Sequence, residues 1–205
     1  MHVRINEVTV SPNRVDELGE VLSNKALPVV IKQAGCVGLL CVADRVTGNC
    51  SIVSLWDSRK ALDASEQTIA SIRRDTIDAM DARLNQVTIA EVMREISARP
   101  SQIGTRTRMV RITAPGGNVE RMLDFYNTEA VPSLEAQPGF LNARLIRDLD
   151  ANGRFAAVSH WKDAAALKAS DQTSASLRER VAQVIPRTAI DNVSTGEVIL
   201  MQRNA

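Results

Sequence analysis

Five side chains in this chain of 205 residues are of types that could do chemistry at a small-molecule site: Asn6, Trp56, Tyr126, His160 and Trp161. The two tryptophans offer flat apolar walls with one ring N–H each, although a strand-end tryptophan also serves as a large core filler. Asn6 falls in an alternating stretch, where a buried carboxamide must find partners in the backbone or in a ligand. Tyr126 is the only tyrosine, and its place on an apolar helical stripe favours packing with the hydroxyl at an edge. His160 is the one imidazole away from the terminal His2, and imidazole can act as a general base near neutral pH. Adjacent to Trp161 on a strand, it should point to the opposite sheet face, where a satisfied interface histidine is the simpler role.

Two further sets recur in pairs. Ser65-Glu66-Gln67 and Ser170-Asp171-Gln172 pair a hydroxyl with an acid, the usual chemistry of a helix cap or break. Arg73 and Arg178 suit either snorkelling over apolar surface or clamping an anionic ligand. Other chemistries lack their signatures. Gly116-Gly117 follows a strand but lacks the remaining glycines of a dinucleotide loop and reads as a turn. No zinc spacing, nucleophile elbow or zinc-helix motif occurs, so neither a cofactor nor a metal is implied. Cys36, Cys41 and Cys50 read as small buried hydrophobes in a reducing compartment, with Cys36 and Cys41 on opposite strand faces because their spacing is odd.

Lysine and arginine number 25 against 24 aspartate and glutamate, a net charge of +1. That balance provides no field to gather phosphate backbones or anionic lipid, which argues against nucleic-acid and membrane-surface partners. No apolar run reaches the length of a membrane span and the N-terminus alternates polar with apolar residues, so a cytoplasmic location is expected.

The elements that must position these residues come in two copies offset by about 104–105 residues. Ala26, Pro28, Gln33 and Gly35 recur as Ala130, Pro132, Gln137 and Gly139. Trp56 recurs as Trp161, Ala61-Leu62 as Ala166-Leu167, Ala64 to Thr68 as Ala169 to Thr173, and Arg73 as Arg178. The copies span residues 1–97 and 106–205, with 98–105, containing Pro100 and Gly104, as a linker.

Each copy reads β-α-β-β-α-β. Val3 to Val10 alternates as a strand; Ser11-Pro12 then opens a helix striped by Val15, Leu18, Leu22 and Ala26. Pro28 should kink or loosen its end, and Gly35 closes it. Cys36 to Ala43 and Cys50 to Trp56 flank the hairpin turn Thr47-Gly48-Asn49. Ser58, matched by Asp163, can cap a second helical region striped by Ile69, Ile72, Met80 and Leu84, and Val87 to Ile96 is the last strand. The expected class is therefore α+β: two tandem ferredoxin-like units, each a four-stranded antiparallel sheet with helices on one face. Because Leu40 and Val42 alternate with Val37, Leu39 and Cys41, both sheet faces should be buried. The expectation is that the copies pack sheet to sheet as an intrachain dimeric α/β barrel, a pseudo-dimer within one chain.

The Ala-x-Pro-x4-Gln-x-Gly helix end, the hairpin closing on Trp and the capped helix after it resemble the antibiotic biosynthesis monooxygenase-like branch of the dimeric α/β-barrel proteins. The resemblance implies a pocket for a small, possible hydrophobic ligand between sheet and helices, with Trp56 and Trp161 contributing and Asn6 resembling a first-strand Asn of haem-degrading members. Its counterpart in copy two is Val110 or Arg111. Two departures follow from the same resemblance. The haem-ligand His of the second helical region is replaced by Arg73 and Asp75, or Arg178 and Arg180. The Asn four residues before the Trp in polyketide oxygenases is replaced by Ile52 and Ala157. The expectation is a small-molecule-binding protein, with a cofactor-independent monooxygenase on a hydrophobic or aromatic substrate as its enzymatic form, a non-catalytic ligand-binding or interaction protein as the alternative, and haem degradation disfavoured. Any pocket should be asymmetric, since Asn6, Tyr126 and His160 have no polar counterparts in the other copy.

Overall fold

The structure is a computed structural model that describes residues 1–114, 116 and 118–204. The turn expected at Gly116-Gly117 therefore lies partly outside the described residues; Gly116 itself has a left-handed φ of 88°. Two compact units emerge, one of Met1–Ala90 with Gly196–Ala205, the other of Glu91–Thr195.

In the first unit β1 (His2–Thr9) pairs with β3 (Asn49–Trp56), which pairs with β2 (Cys36–Ala43), all antiparallel. The outer edge of β2 takes the end of the long β8 (Ala189–Arg203), with Leu40 opposite Met201. Over this sheet lie α1 (Val15–Val21), α2 (Leu27–Val30), α3 (Arg59–Ala64) and α4 (Glu66–Met80). Leu18, Leu22, Leu39, Cys41, Trp56, Leu62 and Met80 form the core between the layers.

The second unit repeats the pattern. Its β5 (Arg106–Thr113) pairs with β7 (Arg154–Trp161), which pairs with β6 (Phe140–Asp148). The helices are α5 (Val119–Phe125), α6 (Val131–Glu135), α7 (Ala164–Ala169) and α8 (Asp171–Val184). Between β and α layers sit Met122, Tyr126, Leu145, Phe155, Trp161 and Val181. With β4 (Arg83–Ser97), the hydrogen-bonded strand order is β1-β3-β2-β8-β5-β7-β6-β4, which closes on itself as an α+β barrel of two ferredoxin-like halves.

Local chemistry explains the shared details. The Ser58 hydroxyl accepts from the Ala61 amide at 3.2 Å and the Asp163 carboxylate from the Ala166 amide at 2.9 Å, so each second helical region opens on a side-chain cap. Pro28 and Pro132 each follow a π-helical turn, Leu22–Ala26 and Tyr126–Ala130. Proline offers no N–H to the preceding turn and its ring crowds the carbonyl there; widening that turn relieves both. Gly35 and Gly139 have φ of 75° and 81°. A Cβ on either would stand 2.5 Å from the Cβ of Ala61 or Ala166, so the strand can approach the helix only with glycine there.

Two details of the expected pattern are corrected. Leu84 does not extend the second helical stripe. The helix ends at Met80, Asp81 takes a left-handed φ of 47°, and Leu84 lies in β4 with 39% of its surface exposed. Nor are Cys36 and Cys41 on opposite faces. A register shift between Cys36 and Gly38 adds one residue to β2, which turns both thiols into the same core.

Candidate functional site

Each unit carries a cavity between its sheet and its helices, at matching places in the repeat. The first, about 40 Å³ of space open to the centre of a water molecule, is walled by Leu18, Leu22, Ile52, Ile69 and Ile72 with Asn6 and Arg73. The second, about 70 Å³ on the same measure, is walled by Met122, Phe125, Leu145, Leu177 and Val181 with Tyr126 and Arg178. Both are smaller than an ordinary ligand pocket of roughly 300–1,000 Å³, and both combine an apolar lining with a few polar groups.

The polar groups are positioned by a device that sequence inspection overlooked. Arg4 and Arg108, 0% and 4% exposed, rise from the first strand of each unit into the break between the two helices of the second helical region. Arg4 donates to the Ser65 hydroxyl at 3.0 Å, to the Leu62 carbonyl at 2.8 Å and to Glu66 at 2.7 Å. Arg108 donates to the Ser170 hydroxyl at 2.7 Å, to the Leu167 carbonyl at 3.0 Å and to Asp171. Burial lowers both guanidinium pKa values while the neighbouring carboxylates oppose the shift. The Ser-acid pairs are therefore helix breaks, each tied to a buried cation. The available signal was the recurrence of Arg4 at Arg108, in register with the rest of the repeat.

The five expected site residues divide. Asn6 lines the first cavity, where its carbonyl oxygen accepts from Arg73 at 3.0 Å and its amide donates to the Ile52 carbonyl at 3.3 Å. Val110 stands opposite Ala157 as Asn6 stands opposite Ile52, which settles the counterpart in favour of valine over Arg111. Tyr126 lines the second cavity, 3% exposed, and its hydroxyl has no hydrogen-bond partner among the described residues. Burial pushes the phenol well above its ordinary pKa, so it stays neutral.

Trp56 and Trp161 are 0% exposed and stand one layer behind the cavities. Each indole N–H donates at 3.0 Å to a serine, Ser54 or Ser159, and those serines line the cavities. Trp161 also meets Phe140 edge to face, ring centroids 5.6 Å apart, whereas Trp56 has the Arg4 guanidinium 5.9 Å from its ring centre. His160 is buried on the other face of β7, its Nδ1 3.0 Å from the Thr107 hydroxyl, and it lines neither cavity.

The positions flagged by the family resemblance do face the cavities: Ile52 and Arg73 in the first, Ala157 and Arg178 in the second. Neither cavity lining includes an imidazole. Among the described residues no group of three or more His, Cys, Asp or Glu is arranged to hold a metal, and no helix is long and apolar enough to cross a membrane.

A ferredoxin-like repeat with a sheet–helix cavity in each copy defines a protein of the dimeric α/β-barrel class. Comparison sharpens this. Residues 105–179, a stretch of the second unit, match the family model described as antibiotic biosynthesis monooxygenase. Among curated proteins, the uncharacterized protein Rv2558 of Mycobacterium tuberculosis is 27% identical over 193 residues, 93% of this chain and 80% of that protein. Among solved structures, a candidate monooxygenase from Fusobacterium nucleatum matches with a TM-score of 0.69 at 13% identity, covering 98% of this chain and 94% of that one. An anthrone oxidase-like protein matches at 0.66 and 15%, covering 98% and 93%. The haem-degrading enzyme of Listeria monocytogenes matches at 0.56 and 9%, covering 96% and 99%. At these identities the structures share the fold.

Proposed function

We propose that the chain binds a small hydrophobic molecule in a sheet–helix cavity and acts on it as a cofactor-independent monooxygenase. The observation that supports this reading is the apolar cavity of the second unit, whose lining includes both a neutral buried phenol and an arginine. Those groups suit a substrate that ionises to an oxyanion. Tyr126 can donate a hydrogen bond to the anionic oxygen and Arg178 can balance its charge, which lowers the cost of losing the substrate's acidic proton. Neither cavity wall includes a carboxylate or imidazole, so the proton must leave to solvent. For an anthrone-type substrate the balance is simple: the ring CH2 becomes C=O, one atom of O2 enters the product, and the other leaves as water with both hydrogens.

Oxygen uptake with anthrone is the test. One O2 consumed per quinone formed, above the spontaneous rate and reduced in Tyr126→Phe, supports the enzyme; anthrone bound without uptake leaves the non-catalytic binding protein. That second reading is favoured by Ile52 and Ala157, apolar where the resemblance expects an amide.

A further inference from the structure

We infer that the second cavity alone is a recognition site for an acidic ligand, an apolar molecule carrying one carboxylate or phenolate, and that the first cavity has been closed to such a ligand by its own side chains. The inference rests on the small-molecule reading above and adds to it the ligand's charge, the site and the residues that select it.

The argument lies in how the matched arginines are employed. Arg73 already has a counter-charge and a second anchor: it donates to Asn6 at 3.0 Å and to Glu66 at 3.0 Å. Glu66 is long enough to serve two cations, one oxygen on Arg4 and the other on Arg73. In the second unit the acid is aspartate, one methylene shorter, and Asp171 is bound to Arg108. Arg178 has no acidic partner among the described residues; it donates to the Ser174 hydroxyl at 2.7 Å, where the first unit has Ile69. Asn6, the second anchor of Arg73, is replaced by Val110, which can accept nothing.

The same cavity has gained a hydroxyl. Tyr126 stands where Leu22 stands in the first unit, and its oxygen is buried without a partner. A buried hydroxyl without a partner is unfavourable by itself, and the half-buried Arg178 has only a neutral serine hydroxyl to receive its N–H groups. A single anionic oxygen entering from the open side of the cavity would satisfy both. Replacing Ile52 by Ala157 removes bulk from the opposite wall and leaves room for the apolar part of the ligand.

The test uses the full chain, with 1-naphthoate as the anionic probe and 1-methylnaphthalene as its neutral counterpart, titrated by calorimetry. The NMR signals of isotopically labelled Tyr126 report whether a probe reaches the second cavity. The expected result is one naphthoate per chain, shifted Tyr126 signals, and at least tenfold tighter binding of naphthoate than of methylnaphthalene. Arg178→Gln should abolish that preference, while Arg73→Gln leaves it intact. Equal binding of the two probes, or equal losses in the two arginine variants, would overturn the inference and leave the small-molecule reading standing. Binding of neither probe would overturn both.

Discussion

The two units spend the same materials differently. In the first, Asn6, Arg73, Glu66 and Arg4 form a continuous chain of hydrogen bonds and ion pairs in which every charged group has a partner. In the second, the corresponding residues are Val110, Arg178, Asp171 and Arg108, and the chain is broken between Asp171 and Arg178. The loss of one methylene and one carboxamide turns a self-satisfied wall into one with unused hydrogen-bonding capacity. Duplication preserves the scaffold, here the buried arginine, the capped helix and the serine-bound tryptophan, and leaves the cavity free to diverge.

The comparison breaks most visibly if the tryptophans are unequal. Trp56→Ala and Trp161→Ala should each lower unfolding free energy by about 3–5 kcal/mol, as large buried aromatics do, measured by denaturant titration. A loss under about 1 kcal/mol in one variant alone would mean that the units do not share a core design. Next, Arg4→Leu and Arg108→Leu should each cost about 2 kcal/mol, because the serine and carbonyl acceptors at the helix break lose their donor. The partner acids are largely exposed and rehydrate. A neutral or stabilising outcome in either would show that packing, not the anchor, holds the break.

A smaller difference appears in alkali. The folded-state pKa of Tyr126 lies above the unfolded value of about 10, so the unfolded chain sheds the phenolic proton first. The stability associated with the neutral phenol is complete below about pH 10 and is lost as pH rises from there toward the folded value. Relative to Tyr126→Phe, the parent should lose roughly 1 kcal/mol by pH 11; parallel pH profiles would contradict it. The finest test is Asp171→Glu, which restores the length of Glu66 and should let the carboxylate reach Arg178. The preference for naphthoate over methylnaphthalene should fall by about two- to fivefold, the scale of a part-exposed ion pair. An unchanged preference would mean that side-chain length is not what separates the two cavities.

Much of this was legible in the residues, because the repeat supplied two readings of each element. The caps at Ser58 and Asp163, the disturbed turns before Pro28 and Pro132 and the closures at Gly35 and Gly139 are local events whose chemistry is written in adjacent side chains. What escaped depends on distance or on a one-residue shift. The bulge that brings Cys36 and Cys41 to one face leaves no mark in a two-residue period. The end of the helix at Met80 was hidden by Leu84, which fits the helical stripe as well as it fits β4. Nothing local marks Arg4 and Arg108 as buried anchors, since their partners Ser65 and Ser170 lie 61 and 62 residues away in the chain. Asn6 and Tyr126 were recognised as candidates, but the reason they matter, the state of the arginine beside each, is a property of three-dimensional neighbours.

The allotment of β8 bears on how the protein is made. Residues 196–205 complete the first unit by pairing with β2, yet they are translated about a hundred residues after the rest of that unit's sheet. At roughly 5–20 residues per second the ribosome takes some five to twenty seconds to cover that distance. Throughout that interval the edge of β2 offers unpaired N–H and C=O groups to any strand that meets it. The nascent chain thus carries its exposed edge until residues 196–205 emerge, and a chaperone holding β2 over those seconds would prevent mispairing between neighbouring chains on one messenger.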